Sequence, residues 1–402
     1  HTFLYLRNQL HKTYNMNRII LKTLSLSLLV FNLLGCKGFQ KTNNKEVSDI
    51  PIIDSVETIS DVHCFEDFTK NWHGVILDDS TIDAMIEMIG DVMYDDSLFF
   101  IESYDYRESR RRRILAFNNE GKFIRQIGLY GRAKNEYQGI SAWTIDKKNK
   151  EVVIFDNHKC IIKRYNYNGA FLGDYQLDYS VQQISNIFTL GDSLYLFQMN
   201  IVEEPSDDYI LFNRNTSTKT GIFPIRDIYT EGFFMGGYGI QCGTNDTLKY
   251  LRRNYDDIVY TIDNNGNIKE QFKLGFIPSI NKQILKGFSI DNKDARDHIF
   301  QIYELTDYII FDSFSGTYLV DKRTNRTTRY YSKNGHRISN SNIPLASLKV
   351  GVDRNYLIVA VDQPTAESQS LHTDRYTEEV NEFYKKAAKN ENYSLVLYEI
   401  DK

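Results

Sequence analysis

Five polar residues close apolar runs in this sequence: Glu102 after SLFFI, Asp156 after EVVIF, Gln198 after SLYLF, Asp312 after DYIIF and Asp362 after YLIVAV. Carboxylate oxygens of this kind, if they converged, would suit Ca²⁺, a hard cation that takes oxygen ligands. Taken singly, an Asp behind a strand accepts backbone N–H bonds in the turn that follows, and Asp156-Asn157-His158 fits that arrangement. A second constellation is Arg132, Glu136 and Tyr137, where a Tyr ring can stack on a sugar or peptide beside two charges. Glu136 serves equally well there as a lock between neighbouring structural units. Arg110 to Arg113, with Arg107, would attract an anion, but Glu102, Asp105 and Glu108 offset them, so a solvated turn is the better reading.

Other chemistries lack their residues. There is no HExxH pair, no G-x-S-x-G elbow and no sialidase-type Asp box. The eight histidines are scattered, and His63 and His73 are too isolated to suggest zinc. Cys64, Cys160 and Cys242 lie far apart with no CxxC, so they read as small buried residues rather than a disulfide framework.

The remaining cysteine is different. Arg18 and Lys22 precede the apolar run Thr23–Leu34, which ends in Leu33-Leu34-Gly35-Cys36. The run is shorter than the ~20 helical residues that span a bilayer. A small residue before the thiol is what a lipobox peptidase needs, so Cys36 is the expected lipidation site, and two or three acyl chains would hold the chain on a membrane. Met16 is the expected start. Residues 1–35 thus read as upstream residues plus signal peptide, and 36–53 as a flexible polar tether.

What must position these groups is legible from a repeat. Arg113 to Gly128, Ile161 to Gly173 and Ile258 to Gly275 share an apolar strand, an Asn-rich turn closed by Gly121, Gly169 or Gly266, and a second strand. The glycines are 48 and 97 residues apart, and 97 is about two such units. Weaker copies follow at 209–223, 317–331 and 393–400. Each copy is preceded by another hairpin: 91–102, 142–156, 186–198, 241–252, 299–312 and 348–362. Two hairpins per unit over six units predict an all-β fold, a six-bladed β-propeller of four-stranded antiparallel blades spanning 54–402. The last unit lacks a strand, and Val75–Asp78 is expected to complete it. The insertion 363–392 carries Val380, Phe383, Tyr384 and Ala387 at helical spacing, with Glu382 four before Lys386, which predicts a short amphipathic helix.

The stretches Ile76–Ile101, Ile114–Gly128, Gly131–Asp146 and Glu151–Gly173 resemble the lipid-anchored, NHL-like six-bladed β-propeller proteins of Gram-negative gut bacteria. That family links blades through G-x-G-P-x-E-Y. Here the segment is Gly131-Arg132-Ala133-Lys134-Asn135-Glu136-Tyr137, with Ala133 and Lys134 in place of the second Gly and the Pro. The likeness is strong over residues 76–175, and after that it rests on pattern and the closing strand YSLVLYEI. It implies fold and lipidation, and no established reaction.

Composition agrees with this reading. With 48 Lys and Arg against 53 Asp and Glu, the net charge is −5, which gives no footprint for nucleic acid. The 28 Tyr and 24 Phe favour pleated, half-buried surfaces. The expectation is an exported, monomeric lipoprotein of the cell envelope, on the outer membrane with the side left open. It would bind a peptide, glycan or protein at one face of the disc, with no cofactor assigned. Ca²⁺ is the one ion its carboxylates invite. The alternative is a metal-assisted lyase or hydrolase at the channel mouth.

Overall fold

The computed structural model describes residues 50–53, 56–60, 69–95, 97–105, 112–178, 184–199, 207–224, 240–242, 248–253, 256–275, 299–313, 316–331, 349–353, 356–371 and 377–400. His1–Asp49 and Ile50–Lys402 group as two units. The expected signal segment, Cys36 and most of the expected tether lie outside the described residues, as do His63, Cys64, Arg107, Arg110, Arg111 and residues 278–296. No helix among the described residues is long and apolar enough to cross a membrane.

Three strands come first: β1 (Ile52–Ile53), β2 (Val56–Ser60) and β3 (Thr69–Ile76). Blade 1 follows as β4 (Met88–Asp95), β5 (Leu98–Tyr104), β6 (Arg112–Asn118) and β7 (Phe123–Ile127). Short β8 (Leu129–Tyr130) and β9 (Glu136–Tyr137) pair in parallel and lead to blade 2. Its strands are β10 (Ala142–Asp146), β11 (Glu151–Asp156), β12 (Ile161–Asn166) and β13 (Phe171–Gln176), and blade 3 consists of β14 (Ile184–Leu190), β15 (Leu194–Met199), β16 (Asp207–Asn213) and β17 (Thr218–Pro224).

Then come β18 (Ile240–Cys242) and the blade 4 strands β19 (Leu248–Arg252), β20 (Ile258–Asp263) and β21 (Ile268–Leu274). Blade 5 holds β22 (Ile299–Glu304), β23 (Tyr308–Ser313), β24 (Gly316–Asp321) and β25 (Thr327–Tyr331). Blade 6 holds β26 (Lys349–Asp353), β27 (Tyr356–Val361) and β28 (Ser394–Ile400), with helices α1 (Gln363–Ser370) and α2 (Glu378–Ala387) inserted before β28.

The six-bladed propeller is therefore present, and its closure is the one the missing strand required. β3 lies antiparallel to β28, with Ile76 opposite Ser394 and Val75 opposite Leu395. The strand runs Thr69–Ile76, so it starts earlier than the expected Val75–Asp78. Period-two alternation sends successive side chains to opposite faces of each blade, and these faces build the core. In β5, Phe99 and Ile101 pack with blade 6, while Phe100 between them packs with blade 2. In β11, Val152 and Ile154 face blade 1 and Val153 and Phe155 face blade 3. Further clusters join blades 3, 4 and 5, and then 5 and 6, so apolar burial runs around the whole ring.

The turn glycines do what their spacing implied. Gly121, Gly169 and Gly266 sit at φ +84°, +78° and +84°, where a Cβ is disfavoured. The side chain three residues before each, Asn118, Asn166 or Asp263, accepts backbone N–H bonds across the same turn. A bond from the Asn267 side chain, with the backbone N–H bonds of Asp263's own turn, holds its carboxyl below its ordinary range.

Three features depart from the sequence reading. The expected hairpin 241–252 does not form, because Ile240–Cys242 pairs in parallel with β22 of the next blade. The tether ends before residue 53, since Ile52–Ile53 pairs in parallel with β21 and Ile53 is 2% exposed. β2 does the same on β25. Outer strands β21 and β25 would otherwise present unpaired N–H and C=O groups, and these segments cover them. Finally, the insertion holds two helices rather than one. α2 buries the four residues expected, and α1 is started by Asp362, whose carboxylate accepts from Thr365 N at 3.0 Å.

Candidate functional site

In an up-and-down blade, the first and third turns fall at one end of the ring, and the second turn and the link to the next blade fall at the other. The two ends differ sharply here. At the turn end the connections are tight, and the first strands of four blades, β4, β10, β22 and β26, finish on an acid: Asp95, Asp146, Glu304 and Asp353. All four are buried.

Each of these acids meets a cation. Lys150 Nζ lies 2.8 Å from Asp95, which also accepts from Tyr167 Oη at 2.7 Å. Arg214 of blade 3 lies 3.6 Å from Asp146 of blade 2. Lys147 Nζ of blade 2 reaches Asp353 of blade 6 at 2.7 Å, passing over blade 1. Lys322 Nζ meets Glu304 at 2.9 Å and also donates to the Leu305 carbonyl at 2.6 Å. Burial still pushes the Glu304 carboxyl up against the pull of Lys322. This ionic belt was missed from sequence, although an acid directly before the turn in four of the inner hairpins was its visible signal.

The opposite end carries the long connections, including α1 and α2 and the segment 128–141. The strand-end residues lie at this end and serve local structure. Asp156, 0% exposed, accepts from Gln138 N at 2.9 Å, His158 N at 3.2 Å and Lys159 N at 3.3 Å. Glu102 accepts from Arg112 at 3.0 Å and from Trp143 Nε1 of blade 2 at 3.4 Å. Gln198 accepts from Asn186 Nδ2 at 2.9 Å, and Asp362 caps α1. The Asp312 side chain lies outside the described residues. Among the described residues, no three His, Cys, Asp or Glu side chains are placed to hold a metal ion together. Of the arginine run, Arg112 is held by Glu102 and Arg113 donates to the Met85 carbonyl at 2.7 Å. His73 is exposed on β3, and Cys160 is a free, buried thiol whose burial raises its pKa.

The interblade segment separates into a lock and a surface. Tyr137 is 0% exposed inside the cluster between blades 1 and 2, and burial pushes its phenol far up. Its ring therefore has no face to offer a ligand, which corrects the stacking role expected of it. Glu136 turns back on its own loop and accepts from Ala133 N at 2.8 Å. Three successive carbonyls of the loop are held from blade 2: Lys134 O by Lys163 Nζ at 2.6 Å, Asn135 O by Tyr165 Oη at 3.0 Å, and Glu136 O by Lys159 Nζ at 3.3 Å. Arg132 remains exposed, and so does Tyr130, which is 52% exposed two residues before it.

Six small antiparallel sheets closed into a ring, with tight turns at one end and the long connections at the other, define a six-bladed β-propeller. The chain belongs to the family described as a domain of unknown function, DUF4934, whose model matches residues 49–399. No curated protein matches the chain. Among solved structures it is similar to a candidate exported protein (BF0058) from Bacteroides fragilis NCTC 9343, at 16% identity and TM-score 0.64, covering 87% of this chain and 100% of that one. It is also similar, at 11% identity and TM-score 0.48, to a member of the DUF4221 family from Bacteroides vulgatus ATCC 8482, covering 82% and 96%. The first likeness is one of fold, and the second is too distant to weigh.

Proposed function

We propose that this protein is an exported, NHL-like lipoprotein, anchored through Cys36 to the outer membrane, whose propeller binds a peptide, glycan or protein partner at the end bearing the long connections. The observation that carries the reading is the asymmetry of the ring. Tight turns join the strands at one end, while the other presents α1, α2 and the exposed part of segment 128–141 on a rigid frame. Among the described residues, the strand-end carboxylates Glu102, Asp156 and Asp362 are engaged by backbone or side-chain donors, which favours recognition over chemistry as its task. The Leu34-Gly35-Cys36 junction and the description of the BF0058 protein support the cell envelope as its location.

The test is a screen of the purified protein on glycan and peptide arrays, repeated with residues 364–391 replaced by a short Gly-Ser turn. Binding that is lost or altered by the replacement, or by substitutions in 129–134, supports this end as the ligand face. Binding insensitive to both places the ligand elsewhere. For the anchor, Cys36→Ala is expected to move the protein from the membrane fraction to the soluble fraction, and unchanged fractionation would refute lipidation at that thiol.

A further inference from the structure

Four cations gather on and under the loop between blades 1 and 2, and none of them forms an ion pair among the described residues. Arg132 and Lys134 are exposed on the loop. Lys159 and Lys163 rise from blade 2 beneath it, each bonded to a loop carbonyl. Lys163 is 1% exposed, so its ammonium is held out of water with a carbonyl and the face of the Phe171 ring (Nζ 5.3 Å from the centroid) rather than a carboxylate. A buried cation without a paired anion is costly, and the cost falls if an anion arrives.

The acids nearby are directed elsewhere. Glu136 accepts from Ala133 N and Asp156 from three backbone N–H groups, while Asp174 is exposed on β13. Burial is the main cause of the lowered Lys163 pKa, the neighbouring Lys159 and Lys134 add to it, and Asp174 and Asp156 oppose it. Next to the cations stand Leu129 and Tyr130, 57% and 52% exposed, an apolar and an aromatic surface on the same short strand. An aromatic face beside unpaired cations matches a ring-shaped ligand that carries negative charge.

We propose that Tyr130, Arg132 and Lys134, backed by Lys159 and Lys163, form a subsite for an acidic saccharide, the sugar face stacking on Tyr130 and its carboxylate meeting the cations. This rests on the reading of the connection-bearing end as the ligand face and names the chemistry of its ligand.

The experiment is calorimetric titration of the folded protein with trigalacturonate and, in parallel, with neutral galactotriose. Trigalacturonate is expected to bind, more weakly as salt is raised, and galactotriose to bind at least about tenfold more weakly, the loss of charge-assisted bonds. Tyr130→Ala and the double variant Arg132→Ala/Lys134→Ala are each expected to weaken trigalacturonate by about tenfold. All these positions are exposed, so the fold should survive, and circular dichroism checks that it does. Lys122→Ala/Lys269→Ala, exposed beside tight turns at the opposite end of the ring, is expected to change nothing. Equal binding of the two sugars, no binding of trigalacturonate, or indifference to both loop variants overturns the subsite. A ligand found on arrays that ignores these variants but responds to replacement of 364–391 would leave the broader reading standing and remove this one.

Discussion

Lys147 Nζ lies 2.7 Å from Asp353 Oδ1 although 206 positions separate them, so blades 2 and 6 are tied directly past the blade between them. The carboxylate side chain is only 9% exposed. Lys147→Met removes the ammonium that faces it and is expected to cost about 1–3 kcal/mol in urea unfolding. The pair Lys148–Asp192 is a built-in control, because its side chains are 68% and 64% exposed. Lys148→Met should change stability by no more than about 0.5 kcal/mol. Equal effects at the two sites would show that burial of the belt contributes nothing.

Asn392, 2% exposed, welds the insertion to the segment after β3. It donates to the Asp78 and Ala84 carbonyls at 2.8 and 2.9 Å and accepts from Ile86 N and Tyr393 N at 3.2 and 2.9 Å. Asn392→Ala would leave these groups buried and unmatched, at an expected cost of about 2–4 kcal/mol. Asn392→Asp should be worse, since it sets an oxygen against two carbonyls. A thermal midpoint unchanged in both variants would contradict this account of ring closure.

Glu304 gives a pH dependence with a definite sign. Burial raises its folded pKa above the ordinary 4.5, so between these values the folded protein keeps a proton that the unfolded chain releases. This residue's contribution to stability therefore falls as pH rises through that window. Glu304→Gln should flatten that slope while Lys322 keeps its bonds to the Leu305 and Thr306 carbonyls. Comparing denaturation midpoints of the two proteins across the window checks it. Parallel curves would mean Glu304 titrates alike in both states.

Two turn glycines with nearly the same φ should respond differently to Ala. At Gly169 the nearest atom to an added Cβ is 3.4 Å away, so only the left-handed backbone is penalised, by about 1–2 kcal/mol. At Gly121 the Cβ would stand 2.1 Å from the Ile76 carbonyl oxygen, and the backbone of β3 or of the turn must shift. Gly121→Ala should therefore cost clearly more, as measured by chemical denaturation. The reverse order would refute the close approach.

The periodic parts of this molecule were readable because they answer to local rules. Gly121, Gly169 and Gly266 mark their hairpins, and Val380, Phe383, Tyr384 and Ala387 mark α2, through backbone geometry and side-chain spacing alone. What escaped depends on neighbours far along the chain. Ile52–Ile53 has too few residues to show a period, and its strand exists because β21 offers an edge. Ile240–Cys242 has two possible partners, and nothing in its three residues selects β22. In the interblade loop, two tyrosines seven positions apart look alike as letters. Packing hides Tyr137 and exposes Tyr130.

The pairing of β3 with β28 also sets an order of events during synthesis. Asn71 and Glu399, bonded at 2.8 Å, are 328 residues apart, so β3 leaves the ribosome long before its mate is made. Until then its backbone is an unclaimed edge beside a half-built circle, and chaperone binding or aggregation competes for it. For the nascent chain, the final strand is the clasp that ends that exposure.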